Sequence, residues 1–168
     1  MTLAELNALP AAEAEAAFLT CCGSTRWARE MAARRPFRGP ADVHAAADAV
    51  WWALEPADWD EAFRAHPRIG ERKAALSQGA QAAAWSAQEQ AGAAGAGEDA
   101  AAALAEGNRA YEARFGRIYI VCATGKTAEE MLAILRARLA NDPETELRTA
   151  AAEQAKITRL RLEKLLAD

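Results

Sequence analysis

Apolar residues recur along this chain at spacings of three and four, the period of helices buried along one face. Trp27 and Met31 stand four apart, as do Trp59 and Phe63, and Met131, Leu135 and Leu139 repeat the interval nearer the C-terminus. Three Ser/Thr…Glu patterns, Thr2–Glu5, Ser86–Glu89 and Thr127–Glu130, have the spacing in which a first helical turn caps its own free N–H groups. Helices are expected from Thr2, from Pro10 to Cys22 and from a Ser24 cap to Arg35. Others are expected from an Asp42 cap to Leu54, from Ala57 to His66 and over 70–76, with helix resuming near Ala80 and a Ser86 cap opening the next. The remaining helices run from Glu98 to Phe115, from Thr127 to Leu139 and from Pro143 to Leu166, the last with Leu147, Ile157, Leu160, Leu162 and Leu165 as its apolar positions. Gly23, Pro36, Gly39-Pro40, Pro56, Gly79, Gly116 and Asn141-Asp142-Pro143 punctuate the pattern. Gly92 to Gly97 reads as a loop or frayed end. Ile118-Tyr119-Ile120-Val121 is the one β-favouring run, and with no partner strand it reads as a buried extended segment near 117–122. The expected architecture is all-α, a single domain over residues 1–168 with roughly seven to nine helices.

Composition narrows the class. Charged residues make up 26% and apolar residues 52% of 168 residues, a globular balance. A formal charge of −4 argues against nucleic acid as the main partner. No apolar run reaches the length of a membrane span, Met1–Glu5 does not resemble a signal peptide, and Leu166-Ala167-Asp168 is not a peroxisomal signal. Cys21, Cys22 and Cys122 fit neither a disulfide framework nor a zinc spacing, and a reducing cytoplasm is expected.

His66 is one of two histidines, and Pro67 follows it. Proline disfavours helix in the preceding residue and stiffens the backbone, so His66 is expected at a helix end. There it is either an ordinary terminal histidine favoured by the helix dipole or a group that moves protons near neutral pH. His44, in the first turn of its helix, reads as a surface or interface residue. Ser86 and Glu89 are explained by capping alone, although a helix N-terminus with Gln90 alongside could also face a polar ligand. Arg161, set within an apolar pattern, is either a solvated flank or a planar fork for a carboxylate. No metal ligand set is found: nothing stands at zinc spacing from His66.

Taken in order, several short stretches resemble the OHCU decarboxylase family, the 2-oxo-4-hydroxy-4-carboxy-5-ureidoimidazoline decarboxylases of urate degradation. They are Cys22-Gly23-Ser24 with Trp27, Arg35-Pro36-Phe37, His66-Pro67-Arg68-Ile69-Gly70, Trp85-Ser86 through Glu89-Gln90 to Gly92, Asn108 with Tyr111, Phe115-Gly116 into Ile118–Ala123, and Lys156-Ile157-Thr158 with Leu160-Arg161-Leu162. The resemblance implies an all-α fold, a homodimer, no metal or organic cofactor, and a small-molecule substrate, the ureidoimidazoline from urate oxidation, converted to (S)-allantoin and CO2. Carried over by position, it makes His66 the acid/base, with Glu89 beside it as the second catalytic group. Pro67 shapes the site, and Ser86 and Gln90 join Glu89 in contacting the ureido and ring groups. Phe115 and the backbone of Ile118, Tyr119, Ile120 and Val121 line the pocket, and Arg161 binds substrate. Arg117 and Arg159 depart from the family pattern.

Competing expectations come from other parts of the chain. A non-catalytic adaptor could dock through the Trp51-Trp52-Trp59 region. The basic stretch of Arg26, Arg29, Arg34 and Arg35 could face nucleic acid. A relative of the decarboxylase could act on another small ureide or carboxylate.

Overall fold

The structure, a computed structural model, describes residues 1–70, 79–94 and 97–167. Among them are ten helices and no strand: α1 (Leu3–Ala8), α2 (Ala11–Cys21), α3 (Thr25–Ala33), α4 (Pro40–Trp52), α5 (Pro56–Arg64), α6 (Ala80–Glu89), α7 (Ala91–Ala94), α8 (Glu98–Phe115), α9 (Ala128–Arg138) and α10 (Pro143–Leu165). The count exceeds the expected range, and the single turn α7 overlaps the stretch read as loop or frayed end. The helical piece expected over 71–76 lies outside the described residues. Among the described residues no helix is long and apolar enough to cross a membrane. Two compact units are present, Met1–Ala62 with Ala155–Asp168, and Phe63–Gln154.

In the first unit, Phe18 meets Trp27 and Phe37 edge to face, with ring centroids 5.9 and 6.3 Å apart. Helix ends leave carbonyls without partners, and one arginine collects several of them. Arg35 sends Nη1 to Leu6 O at 2.9 Å and Leu9 O at 2.6 Å, and Nε to Ala32 O at 3.0 Å. Asn7 and Phe37 exchange two 2.9 Å bonds, side-chain amide against backbone. Ser24 caps α3 as expected, accepting from Trp27 N at 3.2 Å. Asp42 does not cap α4: the helix starts at Pro40, whose ring presets the first turn and whose missing N–H costs nothing there. The Asp42 carboxylate instead accepts from Arg38 N and Nε at 3.1 and 2.9 Å.

These contacts bear on the competing readings. Trp51 and Trp59 are buried and joined by a 2.9 Å bond from Trp59 Nε1 to Trp51 O, so of the three tryptophans only Trp52 is exposed. Arg35 is turned onto helix carbonyls, and Arg26 pairs with Asp58 at 3.3 Å, so part of the basic stretch is engaged within the protein. His44 is half-buried in the second turn of α4, and burial together with the charge of Arg159 holds its pKa below the ordinary value.

In the second unit the core gathers Tyr111, Phe115 and Tyr119 with Ile69, Leu104, Val121, Met131 and Leu135. Tyr111 lies 4.8 Å from Phe115 and 5.5 Å from Tyr119 between ring centroids. Gly116 ends α8 in the left-handed region, φ 72°, where glycine carries no Cβ penalty. The chain then runs without helix or strand pairing and turns at Thr124-Gly125, Gly125 at φ 76°, before the capping box of Thr127 and Glu130 opens α9. Gly92 lies so close to this return that a Cβ there would fall 2.1 Å from Lys126 O.

Two outcomes follow from this packing. Burial pushes the Cys21 thiol up to about 12 and the Cys22 thiol up to about 11 from 9.0. The folded state therefore holds these protons more tightly than the unfolded chain. The stability they contribute is fully present below pH 9 and is lost as pH rises through about 11 to 12. Thiol titration at pH 8 should leave both unreactive until denaturant is added. Gly92→Ala should destabilise the protein by about 1–3 kcal/mol, because backbone has to move; urea denaturation measures it.

Candidate active site

His66 sits just beyond α5, its N–H bonded to Phe63 O at 3.1 Å, with Pro67 next. The five residues from His66 to Gly70 are pinned at nearly every position. His66 Nε2 meets Gln154 Oε1 at 2.6 Å. Arg68 Nε reaches Glu112 Oε1 at 2.7 Å. Ile69 enters the aromatic core while its carbonyl accepts from Asn108 Nδ2 at 3.0 Å. Gly70, at φ 89°, donates its N–H to Gln90 Oε1 at 3.0 Å. A non-glycine residue would be strained at this φ. His66 itself is half-buried, within a stretch held on both sides.

Helix α6 turns a face of Ala82, Trp85, Ser86 and Glu89 inward, at intervals of three, one and three. Ser86 and Glu89 are thus two polar groups, 4% and 8% exposed, on a stripe that a helix normally fills with apolar side chains. They do not open a helix, contrary to the capping-box expectation. Gly79 precedes an alanine-rich run of strong helix formers, so α6 is already two turns old at Ser86, and Gln90 is its C-cap. The anion site expected at a helix N-terminus here is therefore absent, and burial replaces it as the distinguishing feature. Gln90 spends its carbonyl oxygen on Gly70.

The extended segment cannot bond itself, so side chains meet its polar groups. Arg138 Nη1 donates to Ile120 O at 2.6 Å and Nε to Glu146 Oε1 at 2.7 Å, with Nη2 in ion-pair contact with the same oxygen at 2.5 Å. Glu146 is fully buried and also accepts from Tyr111 Oη at 2.6 Å and Asn141 Nδ2 at 3.0 Å. The Arg138 guanidinium lies 4.9 Å above the Tyr119 ring. Burial, then the bond to Glu146, holds the Tyr111 hydroxyl well above its ordinary pKa. Cys122 N donates to Glu153 Oε1 at 3.1 Å, and Lys126 Nζ reaches Cys122 O at 2.6 Å. Burial raises the pKa of the Cys122 thiol, Lys126 and the Thr124 backbone oppose it, and the charges of Glu153 and Glu89 add to it. Among the described residues, the N–H groups of Ile118, Tyr119, Ile120 and Val121 take no partner.

His66, Pro67, Ser86, Glu89, Gln90, Phe115 and Ile118–Val121 all belong to the Phe63–Gln154 unit. Arg161 belongs to the other unit, 3% exposed on α10, with Nη1 3.4 Å from Thr20 O. Arg159 pairs with Glu163 at 3.6 Å. A cavity of about 360 Å³ beside the His66–Gly70 loop is lined by Ile69, Gly70, Leu104 and Asn108 among others, and no predicted site residue lines it.

The model of one protein family, OHCU decarboxylase, matches residues 7–163. The chain belongs to the OHCU decarboxylase family. It is 40% identical over 148 residues to the uric acid degradation bifunctional protein TTL of Arabidopsis thaliana, a match covering 88% of this chain and 46% of that protein. The chain thus spans about half the length of that relative. It is 33% identical over 133 residues to the 2-oxo-4-hydroxy-4-carboxy-5-ureidoimidazoline decarboxylase of Amia calva, covering 79% of this chain and 75% of that protein. Among solved structures, a crystal structure of OHCU decarboxylase in the presence of (S)-allantoin matches with TM-score 0.78 and 38% identity, covering 90% of this chain and 97% of that one.

Within this member of the OHCU decarboxylase family, the residues that sequence reasoning missed lie behind the site. They are Arg138, Glu146, Glu153 and Gln154. The last helix carried the signal. Of its five expected apolar positions only Ile157 and Leu162 are buried, while Glu146, Glu153, Gln154, Thr158 and Arg161 are buried polar residues. Charged or amide groups recurring at helical spacing on one face of α10 could have marked them. Arg138→Leu should cost about 3–5 kcal/mol in urea denaturation, because it leaves Glu146 buried without its cation. Arg138→Lys should recover only part, since an ammonium cannot hold Ile120 O and Glu146 in one fixed fork.

Proposed function

We propose that the chain decarboxylates 2-oxo-4-hydroxy-4-carboxy-5-ureidoimidazoline to (S)-allantoin and CO2 in urate degradation. The observation that carries this reading is the family match through residues 7–163 together with a half-buried His66 on a pinned loop. Buried, polar Ser86 and Glu89 add support, because polar side chains on the core-facing stripe of α6 fit a ligand-facing surface. A small polar substrate fits these groups. Residues 1–168 act as one domain in this reading, which the span of the family match supports. A homodimer rests on the family resemblance, and a cytoplasmic location on that and on three free cysteines.

The chemistry needs few parts. The bond to the carboxylate breaks, CO2 leaves, and the electron pair moves toward the adjacent ring C=N. Hydrogen bonds to the ring and ureido groups from Ser86, Gln90 and the free N–H groups of Ile118–Val121 stabilise that charge where it develops. No cofactor is then required as an electron sink. Glu89 and His66 position or deprotonate the substrate hydroxyl, which becomes a carbonyl. His66 delivers one proton to one face of the ureido-bearing carbon, setting the S configuration. Pro67 and Phe115 shape the walls, and a substrate-binding role for Arg161, as a planar fork for an anionic or carbonyl oxygen, rests on the family resemblance.

Freshly generated urate-oxidation intermediate provides the test, followed by circular dichroism because the uncatalysed product is racemic. The wild-type protein should accelerate decay to a single enantiomer. His66→Ala should lower kcat by about 10²- to 10⁴-fold and lose enantiomeric excess. An unchanged rate and enantiomer in that variant would remove His66 from the mechanism. No effect of the wild-type protein on the intermediate would remove the decarboxylase reading itself.

A further inference from the structure

We infer that Gln154 is the positioning residue of the site: it fixes His66 as the Nε2–H tautomer and leaves Nδ1 as the nitrogen that exchanges protons with substrate. The inference rests on the decarboxylase reading for its catalytic meaning, but the tautomer itself follows from geometry. Gln154 Oε1 lies 2.6 Å from His66 Nε2, across 88 residues of sequence. A carbonyl oxygen only accepts, so the facing ring nitrogen carries the hydrogen. That holds when the ring is neutral and equally when it is the imidazolium, whose two nitrogens both donate. The ring can therefore gain and lose a proton at Nδ1 without breaking its anchor.

The anchor is built to be rigid. Gln154 is fully buried on α10, next to Glu153, which grips the amide of Cys122 at 3.1 Å. Adjacent residues of one helix thus hold two walls of the site, the histidine and the extended segment. His66 is restrained from its other side by Pro67 and by the bonds of Ile69 and Gly70. A group placed this way delivers its proton to one face of a bound substrate, which is what a single enantiomer requires.

An amide also differs from the carboxylate that often orients a histidine. It carries no charge, so it aligns the ring while stabilising the imidazolium less than a carboxylate would. The site thereby separates orientation from charge, leaving Glu89 as the buried carboxylate assigned to the substrate side.

The test uses nitrogen-15-labelled, untagged full-length protein. His44→Gln leaves His66 as the only histidine, so its ring signals need no further assignment. The neutral ring should show a protonated Nε2 and an unprotonated Nδ1. Gln154→Leu should give a mixture of tautomers and a kcat lower by about 10²-fold with KM little changed. Gln154→Glu, which keeps an acceptor oxygen at the same reach, should restore the Nε2–H tautomer. Far-ultraviolet circular dichroism matching wild type would establish that the variants are folded. A neutral ring protonated on Nδ1 in the wild-type protein would overturn the inference. So would an active wild type whose kcat survives Gln154→Leu. A wild-type protein with the Nε2–H ring but no decarboxylation would instead overturn the functional reading, and the catalytic role of Gln154 with it.

Discussion

Arg138 reaching Ile120 O at 2.6 Å is the contact on which the Phe63–Gln154 unit depends. A stretch of extended backbone inside a helical protein has no ladder to satisfy it, and buried N–H and C=O groups left alone are costly. The guanidinium solves part of this by serving Ile120 and Glu146 at once, and Glu146 in turn ties in Tyr111 and Asn141. Glu153 and Lys126 complete the support at Cys122. One side of the segment is thereby held by buried charge, and its remaining N–H groups stay available to a ligand. Breaking such a pair by removing one partner is far more costly than never having buried it.

The same economy organises the loop from His66 to Gly70. A proline, a left-handed glycine and one apolar plug would set its course only loosely. Side chains from three other places complete it: Gln154 on the histidine, Asn108 on Ile69 and Gln90 on Gly70. Gln90, the C-cap of α6, gives its carbonyl oxygen to the loop and keeps its amide nitrogen clear of that bond. These contacts fix the position of the His66 ring, the precision that the proposed proton transfer would need.

The buried polar residues on α6 and α10 have a shared meaning. Ser86 and Glu89 interrupt one helix's inward stripe, and Glu146, Glu153, Gln154 and Arg161 interrupt the other's. A stable helix without a function to serve would place apolar groups there, since each buried polar group needs a partner to offset its desolvation. Arg138, Glu146 and Glu153 show one use of such groups, holding an irregular segment in place of simple packing. In the first unit, apart from Arg161, tryptophans and phenylalanines pack against each other, and the basic helix spends Arg35 on helix carbonyls.

Local pattern alone determined the all-α class, most helix boundaries, two of the three capping boxes and the end of α8 at Gly116. These depend on neighbours within a few residues, through propensity, glycine and proline geometry and capping. His66-Pro67 was legible as a stiff helix end for the same reason, and its chemical role came from the ordered set of family motifs. Ser86–Glu89 was misplaced because its spacing is shared by a helix start and a helix interior; only the alanine run before it, and burial, distinguish them. Gln154, Glu153, Arg138 and Glu146 were invisible because their partners lie far along the chain: 88 residues separate Gln154 from His66. A contact of that range is created by folding, so tertiary structure alone decided which amide holds the histidine.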